Sequence, residues 1–242
     1  QTCALPIYTN SGNNAFDKTN STGETLAGSI AGCDVGCYEA WQKCTGDPSV
    51  IVAVLDDGVM YTHPDLAGNI WVNDKEELYA GTDADGNGYK DDRYGYNFVH
   101  NTAAISWTDV NDIGHGTHVS GTIAAMNNGY GVCGIAGGDG TKDSGVKIMI
   151  CQVFAGDNSV SLNGEAQAIK YAADNGAVIL QCSWGYNSSE ANEVEGYSPG
   201  PATVKEWADT YPLEKEILDY FINNAGSPNG VIDGGIAIFA SG

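Results

Sequence analysis

Positive charge is scarce in this chain. Ten Lys and Arg stand against 31 Asp and Glu, a net charge of −21. Binding nucleic acid needs clustered Lys and Arg to neutralise phosphates, so that class of partner is excluded. Long apolar runs are missing too. The longest falls far short of the ~20 residues of a membrane span, so no transmembrane segment is expected. No charged-then-apolar leader opens the sequence, and any signal peptide is expected to have been removed or to lie outside these residues. His115 and His118 lie three apart, but HExxH is absent, so no glutamate base stands between them for zinc hydrolysis. Ser183 lacks the Gly-x-Ser-x-Gly setting of an exposed nucleophile, because Gln181 fills the first Gly place.

What is present is glycine, acid and a few ordered motifs. The 242 residues suit one domain, and the 33 Gly indicate many tight turns. The seven Cys fall into two groups. Cys3, Cys33, Cys37 and Cys44 lie in a polar, Gly-rich arm and could form one or two disulfides in an exported protein, with the pairing open. Cys133, Cys151 and Cys182 lie in apolar contexts and read as buried thiols. Val50 to Leu55 is a continuous β-branched apolar run, as expected for a central parallel strand covered on both faces. It ends on Asp56 and Asp57, and in open α/β sheets sites form beyond the carboxyl ends of strands. Further on, Gly114-His115-Gly116-Thr117-His118 opens an apolar helical run, with glycines that let other backbone approach closely.

Val52-Ala53-Val54-Leu55-Asp56-Asp57-Gly58 followed by His115-Gly116-Thr117-His118-Val119-Ser120-Gly121-Thr122 resembles the Asp and His motifs of the subtilisin-like serine peptidases, in that family's order. The resemblance covers roughly Trp41 onward and the N-terminal part more loosely. It implies an α/β three-layer sandwich with a mostly parallel central sheet and helices on both faces. Residues 1–45 would be an N-terminal arm and residues 46–242 the catalytic domain. It implies peptide-bond hydrolysis by an Asp-His-Ser triad in which Asp56 orients His115 and His115 takes the serine proton. The family's Gly-Thr-Ser-Met-Ala nucleophile motif does not occur. The alignment places the oxyanion-hole Asn immediately after Gly242 and the serine further on, so the domain is expected to be truncated and inactive alone.

The same resemblance assigns a substrate groove. Ser183-Trp184-Gly185 matches the segment whose backbone pairs with an extended peptide, and Gly156 lies in the opposite edge. Strand addition of this kind uses main-chain hydrogen bonds and tolerates many sequences. Asp57 resembles the second Asp of the kexin group, which faces the cleft and favours basic residues; a surface carboxylate is the alternative.

Two calcium sites are expected. Asp65, in His63-Pro64-Asp65-Leu66, and the loop Met126 to Val132 match a structural calcium site of the family. The resemblance implies ligands from the Asp65 carboxylate, the Asn128 amide and the carbonyls of Met126, Tyr130 and Val132. The stretch Asp83-Ala84-Asp85-Gly86-Asn87-Gly88-Tyr89-Lys90-Asp91-Asp92 partly matches an EF-hand loop. Asp83, Asp85 and Asn87 supply alternate oxygens and Tyr89 its carbonyl. Tyr94 stands where the closing Glu belongs, so Asp91 or Asp92 must close the site.

Further strands are expected at Val146–Phe154, Ala177–Cys182 and Gly234–Ala240. Helices are expected near Tyr38–Lys43, from His115 to about Met126, and at Leu162–Asn175 and Leu213–Asn224, with residues 186–212 an irregular surface insertion. Polypeptide substrates, export from the cytoplasm and Ca2+ complete the reading. The alternative is a catalytically silent, calcium-stabilised module that only binds peptides. A metallohydrolase would need zinc between His115 and His118.

Overall fold

Strand β1, Ile51–Asp56, is buried at all six positions. A strand with no polar face must be covered on both sides, and its place follows from that. In the computed structural model, which describes residues 35–185, 201 and 203–240, β1 is the middle strand of five. It pairs in parallel with β3, Lys147–Gln152, in a register that sets Ile51 opposite Lys147 and Asp56 opposite Gln152. On its other side it pairs in parallel with β6, Ala177–Cys182. The outer strands are β2, Gly95–Asn97, beside β3, and β7, Ile236–Phe239, beside β6. The order is β2-β3-β1-β6-β7, and every pairing is parallel. This is the mostly parallel α/β sheet with helices that the sequence implies.

The chain divides into two compact units. The larger comprises residues 49–63, 70–120 and 147–242 and contains the sheet. Helix α3, Leu162–Asp174, links β3 to β6, and α5, Pro212–Asn224, links β6 to β7. Ile51, Ala53, Leu55, Met149, Cys151, Leu180 and Cys182 form one core with Ala168, Ile169 and Ala172 of α3 and Phe221 of α5. The alternate row, Val52, Val54, Ile148 and Ile150, is equally buried. Burial pushes the Cys151 and Cys182 thiols far above their ordinary value, which leaves them unreactive.

Sequence and structure differ at several joints. The strand expected over Val146–Phe154 stops at Gln152; Phe154–Ala155, strand β4, then folds antiparallel onto β5, Asn158–Ser159. Edge strand β2 falls within the aromatic run Tyr94–Phe98, where Gly95 has φ +121°. A Cβ there would lie 2.0 Å from the Ile150 carbonyl oxygen, so only glycine admits this approach. Residues 186–212, expected to be irregular, contain helix α4, Val204–Thr210. Thr203 Oγ1 accepts the Glu206 N–H at 3.2 Å, and the Thr-x-x-Glu spacing is a capping signal that weak apolar periodicity hides. Residues 186–200, Cys3 and Cys33 lie outside the described residues.

The smaller unit comprises residues 1–48, 64–69 and 121–146. Helix α1, Cys37–Trp41, is shorter than expected and begins one residue earlier. Trp41 Nε1 donates to the Ile135 carbonyl at 2.8 Å. Asn69, almost fully buried, donates to the carbonyls of Ala124 and Gly137 at 2.9 and 3.0 Å, which satisfies two acceptors that burial would otherwise leave unpaired. Cys133 is half-buried, more open than its apolar neighbours suggest.

Candidate functional site

Helix α2, His115–Ala124, begins where β1 ends. Asp56, the last residue of β1, is 3% exposed. Its Oδ1 lies 2.7 Å from His115 Nδ1 and also accepts the Asp57 N–H at 2.8 Å. Its Oδ2 is buried and meets no hydrogen-bond partner among the described residues. Burial pushes the Asp56 carboxyl above its ordinary value, while the His115 hydrogen bond pulls it down. An ionised Asp56 holds a proton on Nδ1, which leaves Nε2 as the basic nitrogen of a half-exposed imidazole.

Asp57 points the other way. Its Oδ2 accepts the His115 N–H at 3.0 Å and its Oδ1 accepts the Gly116 N–H. These are unsatisfied donors of the first turn of α2, and a carboxylate there also meets the positive end of the helix dipole. Gly116 is required by this approach: a Cβ would lie 2.6 Å from the Asp57 carbonyl oxygen and 3.2 Å from Asp56 Cβ. Thr117 Oγ1 accepts the Met60 N–H at 3.0 Å, a third tie between the helix start and the chain after β1. His118 is exposed one turn on.

A cleft of about 260 Å³ opens beside the imidazole, lined by Asp56, His115, Phe154, Gly156, Ser183 and Trp184. Asp57 reaches it as well, and Gly185 follows as an exposed residue. Trp184 is fixed by a 2.7 Å hydrogen bond from Nε1 to the Leu55 carbonyl and by edge-to-face packing on Phe154 and Phe239. Ser183 Oγ accepts from Gln181 Nε2 at 3.0 Å. Gly156 has φ +57°, and its N–H donates to Asp112 Oδ1 at 2.9 Å. The Asp and His motifs and both groove segments thus converge on one place.

The acidic loop folds around a residue that the sequence reading missed. Glu76 is fully buried, and carboxylate oxygens of Glu76, Asp83 and Asp85 lie within 4.8 Å of one another. Glu76 accepts the N–H groups of Ala84, Asp85 and Asp91. Asp83 accepts those of Gly86, Asn87 and Gly88 at 2.8 to 3.0 Å. Asn87 Oδ1 accepts the Tyr89 N–H at 2.7 Å. Asp91, at φ +60°, turns its carboxylate to the Gly81 N–H. Asp92 is buried against Tyr171 Oη at 2.7 Å and the amides of Asn73 and Asn87; burial raises its pKa. Loop spacing alone could not reveal Glu76, which lies seven residues upstream of Asp83. Among the described residues this is the one group of three or more candidate metal ligands, and it includes no histidine.

At the other expected calcium site, Asp65 is buried and reaches the 126–132 loop. Its Oδ2 accepts the Val132 N–H at 3.0 Å, and its backbone carbonyl accepts the Met126 N–H at 2.7 Å. Asn128 Oδ1 accepts the Tyr130 N–H at 2.9 Å, and the Met126 carbonyl accepts the Asn128 N–H at 2.8 Å.

The described fold has known counterparts. The chain is 38% identical over 139 residues to subtilisin-like protease 1 of Plasmodium vivax, covering 56% of this chain and 20% of that protein. It is 34% identical over 175 residues to fervidolysin of Fervidobacterium pennivorans, covering 67% of this chain and 20% of that protein. A serine protease of Aeromonas sobria, solved with its chaperone, superposes with a TM-score of 0.63 at 22% identity, covering 98% of this chain and 31% of the other, and shares the fold. The chain thus spans about a fifth of the length of the curated relatives it matches. Residues 47–241 match the description "Subtilase family". With β1 ending on Asp56 and α2 opening on His115 in the order and setting of that family's motifs, the chain belongs to the subtilases.

Proposed function

We propose that this chain is the Asp- and His-bearing part of a serine endopeptidase. The observation that carries the reading is the 2.7 Å approach of Asp56 Oδ1 to His115 Nδ1 at the rim of a cleft. Asp56 fixes the tautomer, so Nε2 faces the reacting groups as a general base. When His115 becomes imidazolium, the buried carboxylate stabilises it. The nucleophilic serine and the oxyanion donors belong, on this reading, to parts of the protein after residue 242, and residues 46–242 alone do not turn over. An extended polypeptide lies between the Gly156 edge and Ser183-Trp184-Gly185.

The donor set of the acidic loop is all oxygen, which suits a hard cation. Glu76, Asp83 and Asp85 would hold Ca2+, with the Asp65 loop as a second site. The ion would supply charge neutralisation for carboxylates that otherwise repel one another. Work outside the cytoplasm fits this calcium dependence. A relative from Natrialba magadii is named an extracellular serine protease, and no helix among the described residues is long and apolar enough to cross a membrane.

The test is hydrolysis of a fluorogenic peptide by the full-length protein. Asp56→Asn inverts the preferred tautomer of His115 and is expected to lower kcat by about 10³- to 10⁴-fold. An Asp56→Asn rate within tenfold of wild type would overturn the assignment. Peptide binding without any turnover by the wild type would instead favour the silent module.

A further inference from the structure

A second cavity, of about 700 Å³, opens within the larger unit. Parallel strands fix its place. Residues 173–176 lead into β6 and residues 224–233 lead toward β7, while Trp71 donates its backbone N–H to the Ile148 carbonyl, near the start of β3, at 2.8 Å. The cavity therefore lies at the amino ends of these strands, whereas the Asp56–His115 cleft lies at the carboxyl end of β1. No residue lines both. Its volume suits a small organic ligand or a few residues of a peptide.

Both crossover helices end at this cavity. Helix α3 stops at Asp174 and α5 at Asn224, and both residues form part of the wall. The carboxyl end of a helix carries partial negative charge on its last carbonyls and is ordinarily met by Lys, Arg or His. Neither helix has a basic residue in its last turn. Helix α3 ends instead on an acid, which Lys170 holds from one turn back. Four residues beyond Asn224 stands Pro228, which has no N–H to give the Asn224 carbonyl.

The side chains add charge of the same sign. Asp74, Asp85, Asp174 and Asp233 line the cavity against one cation, Lys75. Asp85 accepts from the Asn73 amide and the Asn87 N–H, and Asp174 holds Lys170. Asp74 and Asp233 are exposed and have no ion pair among the described residues. These four acids do not converge: the one group of three candidate metal ligands among the described residues is Glu76, Asp83 and Asp85. Dispersed acceptors suit an organic cation better than a metal ion, because an ammonium or guanidinium carries three to five donors. The rest of the wall includes Trp71, set edge-to-face on Tyr171 with ring centroids 6.5 Å apart, and Ile232. Aromatic faces attract cations, and apolar walls take the methylene stem of lysine or arginine.

We propose that this cavity binds an ammonium or guanidinium group on an apolar stem, as carried by a lysine or arginine side chain or by a free amine. The cationic head sits among the two helix ends, Asp74 and Asp233, and the stem lies against Trp71 and Ile232. In a chain of net charge −21 it anchors a basic ligand at the far end of the sheet from the cleft. The site does not depend on the peptidase reading.

The experiment is isothermal titration calorimetry on the full-length protein with Ca2+ present throughout. A sulfonyl fluoride is added beforehand to prevent cleavage. The probes are agmatine, the blocked tripeptide acetyl-Gly-Arg-Gly-amide and its norleucine counterpart. The expected result is one saturable site for agmatine and the arginine peptide, and none for the norleucine peptide. Tighter binding of the arginine peptide identifies a polypeptide side chain as the ligand; equal or tighter binding of agmatine identifies a free amine. Asp74→Lys and Asp233→Lys are each expected to weaken binding about fivefold or more, and Lys75→Gln to strengthen it about threefold. Glu216→Lys makes the same charge change on α5 outside the cavity and is expected to leave Kd within about twofold, since exposed charges at a distance are screened. Matching thermal melts confirm that the variants fold. No saturable binding of either cation, equal binding of the norleucine peptide, or equal weakening by Glu216→Lys would overturn the site.

Discussion

Removing the Asp57 carboxylate tests how the site is aligned. In Asp57→Ala the N–H groups of His115 and Gly116 lose their acceptors at the start of α2. Loss of a capping side chain costs about 1–2 kcal/mol. Here one carboxylate serves two donors and is nearly buried, so water replaces it poorly. Bonds to a charged acceptor run about 1.5–3 kcal/mol each, and the two share one side chain. An expected loss of about 2–4 kcal/mol follows. Equilibrium urea unfolding of the chain, followed by tryptophan fluorescence, measures it. Asp57→Asn should recover part of the loss, since its amide oxygen can accept one of the two N–H groups. The same variants displace His115, so the low-field Nδ1 proton expected from the short Asp56 bond should broaden or vanish in Asp57→Ala. A stability change below about 0.5 kcal/mol, with that proton signal intact, would show that the fork does not hold the helix start.

Three other outcomes are expected. Chelation of Ca2+ should lower the melting temperature, and Glu76→Gln should remove that response; calcium at 100 times its Kd contributes about 2.7 kcal/mol, so an identical chelator shift in wild type and variant would refute the site. Glu165 binds its proton more tightly in the fold than its ordinary 4.5, so its contribution to stability is fully present below pH 4.5 and lost as pH rises through about 7. That shift corresponds to about 3 kcal/mol if fully shielded, reduced to about 1–2 kcal/mol by solvent contact. Urea unfolding from pH 4.5 to 8 should show a flatter decline for Glu165→Gln, and parallel curves would refute the coupling. Gly58→Ala should cost about 3 kcal/mol or more by overpacking, because its Cβ would lie 1.3 Å from the Ser106 carbonyl oxygen. A melting temperature within a few degrees of wild type would contradict that geometry.

The central strands could be read from the sequence because burial on both faces leaves an unbroken apolar run, as in Ile51–Leu55. Asp56 and His115 could be read because each ends or begins an element whose boundary is marked locally, by a double acid and by glycines. What escaped the sequence depends on partners distant in the chain. Asp57 lines the cleft, but its hold on two N–H groups of α2 becomes visible only once that helix docks. Glu76 carries no loop spacing and becomes a candidate ligand only when the chain folds back seven residues later. Glu165 and Glu214 lie 49 positions apart on separate helices, each with the pattern of an ordinary first-turn acid. Only the packing of those helices couples them electrostatically.

Trp184 has a consequence for any attempt to retune the cleft. Its indole is at once a wall of the pocket and a clamp on the Leu55 carbonyl, one residue before Asp56, whose carboxylate meets the imidazole. Trimming that wall to admit bulkier residues releases the clamp and wets the strand tip. On the peptidase reading proposed above, pocket width and proton-transfer geometry are tied through a single ring, and a broader taste in substrates would come with slower turnover.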